Sequence, residues 1–404
     1  MAHFFMQTTN VHLGLAQRNK CIQFSLRHPR FFVELVSSKY PLTKTLMFKY
    51  KDVLDWDLVS SNTNIQWTFE LLTSINKYIS WDYLTINECA FKDLSLLDSF
   101  TKQIIWSRND DYNDWNIAKN EGLPWTLNFI EKYEAVLDFD ELSSNHGVKW
   151  TDPLINKYFE RWDLNKLGQN RSVPWTLELF DKYLGKRYLK NFLVQSNYTL
   201  ISNVDLVEKY KNSMYWSCVS SNDRLPWEDQ HLLERWSDFI DWSGISSNKT
   251  LFQNDPNFFQ THLDKWTEKN YKNFIRLSDN EGLNWSMEFI NRYAQFWSWE
   301  NLCTNKSIKW DIKLVDYFYD KIRWGGLRDG PLEDKNGNIV APTGGGILVE
   351  GMVLNPSVEW TIDFLERYES SLDLEVLRHN EGVWQKVFEP VMDDWFVDVV
   401  MRII

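Results

Sequence analysis

Residues 125–149 read WTLNFIEKYEAVLDFDELSSNHGVK, and residues 150–174 read WTDPLINKYFERWDLNKLGQNRSVP. The two stretches share Trp at position 1, a short polar residue at 2, Lys-Tyr at 8 and 9, Asp at 14, Leu at 18 and Asn at 21. Working outward, Trp67, Trp175, Trp227, Trp285, Trp310 and Trp360 open similar segments, and the differences 150−125, 175−150 and 310−285 are each 25. A fixed period of this length signals a repeat architecture, in which each unit buries its apolar face against its neighbours. Units in this register begin near Leu42, Trp67, Lys92, Trp125, Trp150, Trp175, Ser202, Trp227, Gln253, Trp285, Trp310 and Trp360, with a remnant at Trp384.

The conserved spacing within a unit has physical reasons. Position 2 is Thr43, Thr68, Asp93, Thr126, Thr151, Thr176, Asn203, Ser286, Asp311 or Thr361, side chains whose oxygen caps the free N–H groups at a helix start. Positions 5, 6, 9 and 13, such as Phe129, Ile130, Tyr133 and Leu137, then form one apolar stripe of helical period. Positions 15 and 18, such as Trp56 with Val59, predict a second turn of helix, too short to stand alone. Position 21 is Asn in twelve units, from Asn62 to Asn380, and is expected to form a stacked column. Asn suits a left-handed helix C-cap, and its amide also bonds to loop backbone. The aliphatic residue that follows, such as Ile65, Val148 or Val358, is expected to tuck the loop under the next helix.

These features predict an all-α fold, an α-solenoid of about twelve short helix-turn-helix repeats. Residues 1–41 are expected to form an N-terminal cap and 42–327 the array, while 355–404 hold the final repeat and a capping helix. The helix in VFEPVMDDWFVDVVMRII is expected to carry Val391, Trp395, Val399 and Ile403 on its apolar side. The period lapses near Asp110–Asp114, Arg187–Asn191 and Asn254–Asn270, and most severely across residues 328–354. There Asn336-Gly337 is a turn signal, with Ile339-Val340 and Ile347–Val349 as flanking strand material, so a β-hairpin or Gly-rich loop insertion is expected.

Segments such as DWDLVSSNTNIQW (Asp55 to Trp67) and VPWTLELFDKY (Val173 to Tyr183) resemble Trp-rich tandem repeats of bacterial and large-virus reading frames, of the type W-x-x-L-S-x-N-x-x-I-x-W. The likeness spans about residues 32–384. It implies a repeat protein and supplies no activity and no catalytic residue.

A formal net charge of −12 opposes binding to phosphate backbones, so no nucleic acid is expected as a partner. No apolar run of membrane-spanning length occurs and the amino terminus lacks a leader pattern, so a cytoplasmic protein without membrane insertion is expected. The four cysteines are far apart, which predicts reduced thiols, and the seven histidines occur singly, which predicts no metal site. No cofactor motif is present: Gly344, Gly345 and Gly346 follow Thr343 without the Lys of a phosphate-binding loop. The acidic pairs Asp110-Asp111 and Asp393-Asp394 are expected to be solvated charge.

Of 22 Trp, sixteen fall on positions 1, 13 and 15 and are expected in the core. Trp115, Trp236, Trp242 and Trp266 fall outside the register and are the candidates for exposure. With loops on rigid scaffolds a common seat of function, the expected interaction surface is Asn336, Gly337, Gly344, Gly345 and Gly346 of the insert with Trp115, Trp236 and Trp242. The expected role is a non-enzymatic scaffold for protein partners. A self-associating subunit of a viral or cell-surface assembly, and a ligand-binding protein or enzyme with a site near the insert, are the alternatives.

Overall fold

The computed structural model describes residues 2–107, 115–191, 195–228, 231–267, 271–328 and 347–404. The chain divides into two compact units, one formed by Met1–Leu54 with Trp266–Ile404 and the other by Asp55–Lys265. Among the described residues the fold is helical apart from one short strand pair, as the all-α expectation requires.

All ten position-2 residues act as predicted. Thr126 Oγ1 accepts from Phe129 N and starts the helix Leu127–Tyr133, and Thr151, Thr176 and Asn203 do the same for Asp152–Lys157, Leu177–Tyr183 and Val204–Tyr210. Thr43, Thr68, Asp93, Ser286, Asp311 and Thr361 cap the corresponding helices elsewhere. The short second helices are also present, among them Trp56–Ser61, Phe139–Leu142, Leu164–Gln169 and Trp299–Thr304. Their starts are capped by the recurring Asp of position 14: Asp55, Asp138 and Asp163 each accept backbone N–H bonds from the first turn. The unit placed near Gln253 starts earlier than the period suggested. Asn248 caps Lys249–Asn254 directly, so the loop between column Asn and helix is absent there.

The Asn residues of position 21 do form columns, but not in the backbone state expected. Asn62, Asn170 and Asn305 have φ of −69°, −70° and −65°, with ψ above 110°, which is extended rather than left-handed backbone. The physical reason is the use made of the amide. Asn145 Nδ2 donates to Ala118 O (2.6 Å) and Asn120 O (3.3 Å) of the preceding repeat, while its Oδ1 accepts from Gly147 N (2.7 Å). Asn87, Asn120, Asn170, Asn197 and Asn248 continue this pattern in Asp55–Lys265, and Asn305, Asn355 and Asn380 in the other compact unit. Each of these amides is buried, so an unmade bond there would cost about 1–3 kcal/mol. Close backbone approach accompanies the column: a Cβ at Gly147 would sit 2.2 Å from Glu121 O of the preceding repeat.

Two further contacts recur between repeats. The Ser of position 19 accepts the backbone N–H that opens the next repeat's second helix: Ser60 from Ser80, Ser143 from Asp163 and Ser220 from Asp241, each at 3.0 Å. Cys303 Sγ fills the same role toward Arg323 N at 3.3 Å. The Lys-Tyr of positions 8 and 9 meets a carboxylate of the preceding repeat. Lys132 and Tyr133 share Asp98 (2.8 and 2.6 Å), Lys182 and Tyr183 share Asp152 (2.8 and 2.6 Å), and Lys209 and Tyr210 share Asp181 (2.6 and 2.5 Å).

In the compact unit that holds both termini, this same contact joins the first repeat to the last helix. Lys49 pairs with Asp398, and Tyr50 donates to it at 2.5 Å. The N-terminal helices Ala2–Arg27 and Pro29–Lys39 also lie against the C-terminal repeats. Arg18 bonds Asp393, Arg27 and His28 bond Glu369, Arg30 bonds Glu375, and Lys20 and Lys39 pair with Asp363 and Glu381. Phe31 packs on Phe388 (5.8 Å between ring centres) and Phe32 on Phe396 (6.0 Å).

The C-terminal helix faces the opposite way from the sequence expectation. It starts only at Asp394, capped by Asp393, and buries Phe396, Val397, Val400 and Met401 against those N-terminal helices. Trp395 and Ile403 are exposed, with the Arg18 guanidinium lying over the Trp395 ring. Asp393 and Asp394 are correspondingly engaged rather than merely solvated, Asp394 accepting from Tyr40 Oη at 2.6 Å.

Candidate interaction surface

The insert is rooted in a two-stranded antiparallel ladder. Gly326–Arg328 (β1) pairs with Ile347–Val349 (β2) in the register Gly326↔Val349, Leu327↔Leu348 and Arg328↔Ile347. The first strand therefore lies upstream of the Asn336-Gly337 turn signal. Asn336, Gly337, Ile339-Val340, Gly344, Gly345 and Gly346 lie outside the described residues, as do Asp110 and Asp111. The root is tight. Gly326 has φ +132°, and a Cβ there would meet the Asp373 side chain at 2.7 Å, the same Asp373 that caps the helix Leu374–Leu377. Behind the ladder, Met352 N and Val353 N donate to Arg323 O and Trp324 O, both at 2.9 Å, which returns the chain to the Asn355 column. Leu348 on β2 is 52% exposed.

The tryptophans divide differently from the expectation. Position 1 is buried at Trp67, Trp125, Trp150, Trp175, Trp227, Trp310 and Trp360 and half-buried at Trp285, and several of these indoles donate to the carbonyl of the column Asn five residues earlier. Position 15 is not core. Trp56, Trp81, Trp106, Trp216, Trp299 and Trp324 are all half-buried, and each lies against an aromatic ring of the next repeat. Trp56 on Tyr78 (4.9 Å) and Trp216 on Phe239 (5.0 Å) are stacked. These indoles cover one side of the next repeat and leave an edge in water.

Of the residues expected outside the register, Trp236 and Trp266 are each 1% exposed, which removes them from any interaction surface. The segment after Trp227 is one residue longer than its counterparts, and His231 within it has φ +48°. That extra residue shifts Trp236 into the place of the position-9 Tyr. Its Nε1 donates to Glu208 at 2.7 Å while Arg235 takes the Lys role on the same carboxylate at 2.9 Å. Trp242 becomes the position-15 indole of its repeat, half-buried beside His262 (5.1 Å), and Trp115 is half-buried against Tyr83 (4.8 Å). Trp115 and Trp242 thus remain partly on the surface.

Titratable groups give little chemistry. Burial pushes the Cys21 and Cys303 thiols up to about 12, which keeps them protonated, and none of the four cysteines forms a disulfide, with Cys89 half-buried. His146 lies beside Glu121 at 3.0 Å on the surface. Among the described residues no three His, Cys, Asp or Glu side chains are grouped to hold a metal ion. Near β2, burial together with Glu350 and Glu281 raises the Asp279 carboxyl to about 6, and Asn301 donates to it at 2.7 Å.

Open grooves occur between successive repeats of Asp55–Lys265. One of about 510 Å³ is lined by Trp227, Glu228, His231, Glu234, Phe258 and His262, among others. Another, of about 660 Å³, is lined by Lys186, Arg187, Leu189 and Lys190 of one segment and by Asn212, Ser213, Met214 and Tyr215 of another. It coincides with the two-residue lapse of the period near Arg187–Asn191. Compared with known proteins, the chain matches no family model, no curated protein and no solved structure. No helix among the described residues is long and apolar enough to cross a membrane.

Proposed function

We propose that this chain is an α-solenoid that works as a non-enzymatic, cytoplasmic scaffold for protein partners. The observation that carries the reading is the uniform use of the repeated side chains. Asn of position 21 and Lys-Tyr of positions 8 and 9 bond to the preceding repeat, and Ser of position 19 bonds to the next, which is how a stack of units holds together and presents its edges and interruptions to others. The tight root of β1 and β2 supports a role for the insert, since a loop held on a rigid base loses less entropy on binding. The resemblance to Trp-rich tandem repeats points the same way.

The alternative of a self-associating assembly subunit finds less support, because the first repeat is bonded to the C-terminal helix through Lys49, Tyr50 and Asp398. The test is affinity capture from source cells with the intact chain and with residues 328–354 replaced by a short Gly-Ser bridge. The expected outcome is a defined partner set that loses members on replacement. An identical partner set removes the insert from the reading, and no partner above background for either chain overturns the scaffold reading.

A further inference from the structure

Two long stretches of this acidic chain carry cations and no acid: residues 1–33 and residues 182–204. Their fates differ. In the first, Arg18, Lys20, Arg27 and Arg30 all meet carboxylates, which the C-terminal repeats supply as Asp393, Asp363, Glu366, Glu369 and Glu375. In the second, Lys182 alone is paired among the described residues, in the Asp152 bridge that belongs to the repeat itself. Lys186, Arg187 and Lys190 are exposed, with the Arg187 guanidinium 4.9 Å from the Tyr188 ring, and among the described residues no carboxylate pairs with any of them. They are additional to the register, placed where two extra residues follow Gly185, whose φ of +69° turns the chain into the 3₁₀ helix Lys186–Lys190.

The three cations line the open groove of about 660 Å³. The other lining segment gives the Asn212 amide, the Ser213 hydroxyl and Tyr215, a residue 43% exposed whose Oη donates to Lys190 O at 3.3 Å, and the lining pair Leu189 and Met214 is buried. Three like charges within five residues repel one another, so cations that no carboxylate of the described residues pairs gain from an external counter-charge. A length of polypeptide fits the open shape and the mixture of cations, amide and hydroxyl donors and apolar lining. We propose that this groove docks an acidic peptide segment of a partner protein, with Lys186, Arg187 and Lys190 pairing its carboxylates as Arg18, Arg27 and Arg30 pair those of the C-terminal repeats. The proposal rests on the scaffold reading and names the chemistry of the partner.

The probe is a fluorescein-labelled peptide of ten residues, rich in Glu with two aliphatic residues, titrated with the full chain and read by anisotropy. The triple variant Lys186→Ser, Arg187→Ser, Lys190→Ser is compared with Lys306→Ser, Lys309→Ser, Lys313→Ser, which removes the same charge elsewhere. The expected result is binding that weakens with added salt, falls at least tenfold in the first variant and less than twofold in the second. Circular dichroism melts check that both variants fold, as exposed positions predict. Absence of binding to the intact chain, or an equal loss in both variants, overturns the proposal. So does tighter binding of a single-stranded oligonucleotide of equal charge, which would make the groove a phosphate-backbone site. Partner capture that still responds to residues 328–354 while the peptide fails would leave the scaffold reading standing and remove this groove alone.

Discussion

The Trp of position 1 and the Trp of position 15 both recur in register, yet one row is core and the other is half in water. Trp125 is fully buried and its indole N–H reaches Asn120 O at 2.6 Å, tying helix start to Asn column. Trp216 instead lies flat on Phe239 of the next repeat, with its N–H on Lys211 O at 3.0 Å and one edge exposed. Regular recurrence therefore reports that a residue makes a repeated contact, not that it is buried. The inner row and the Asn column hold each repeat to its neighbour, whereas the outer row shields that contact from one side.

The sharpest way to break the inner side is Asn145→Asp. A carboxylate in that place faces Ala118 O and Asn120 O with no proton to donate, in a buried setting, so a loss of about 4–5 kcal/mol in urea unfolding is expected, against about 2 kcal/mol for Asn145→Ala. Equal losses for the two would mean that the amide's donor bonds do not matter. The comparison of rows predicts next that Trp125→Ala costs about 4 kcal/mol and Trp216→Ala about half of that, because the second leaves less of a cavity. A larger loss at Trp216 would reverse the assignment of core and shield.

The smallest effects concern pH and separate the two kinds of carboxylate. Lys182 and Tyr183 hold Asp152 below the usual carboxylate range, Lys209 and Tyr210 do so for Asp181, and Lys49 and Tyr50 bring Asp398 to about 2. A depressed carboxyl contributes stability above its unfolded pKa of about 4, and that contribution is lost as pH falls toward 2. Asp279, raised to about 6 chiefly by burial and then by Glu350 and Glu281, has the opposite sign. Its ionisation is disfavoured in the folded chain, so stability declines as pH rises from about 4 to about 6 and is level above that. Melting temperatures across this range should show a shallower acid limb for Asp152→Asn with Asp181→Asn, and a smaller decline between pH 4 and 6 for Asp279→Asn. An unchanged decline in the Asp279 variant would show that other groups carry it.

Much of the local structure was legible because it depends on nearby residues. The cap at position 2 bonds an N–H two or three residues away, and the aliphatic residue after the column Asn is buried at Ile65, Val148 and Val358 as its spacing required. Errors arose where a side chain's partner lies a repeat away. The Asn amide reaches carbonyls twenty-five and more residues back, which holds its backbone extended instead of left-handed. A single added residue after Trp227 carried Trp236 from a supposed surface position into the place of a Tyr. The apolar face of Asp394–Met401 depended on Phe32, which is more than three hundred residues distant in sequence.

The sequence by itself determined the period, the helix starts and the residues that repeat, because capping and apolar spacing act within a turn or two of chain. The tertiary structure decided what each repeated residue touches. It buried one Trp row and left the other half in water, joined Lys49 and Tyr50 to Asp398, and gave the cations of residues 14–33 acidic partners. Among the described residues it gave Lys186, Arg187 and Lys190 none, because long-range pairing depends on which surfaces meet and no spacing along the chain encodes that.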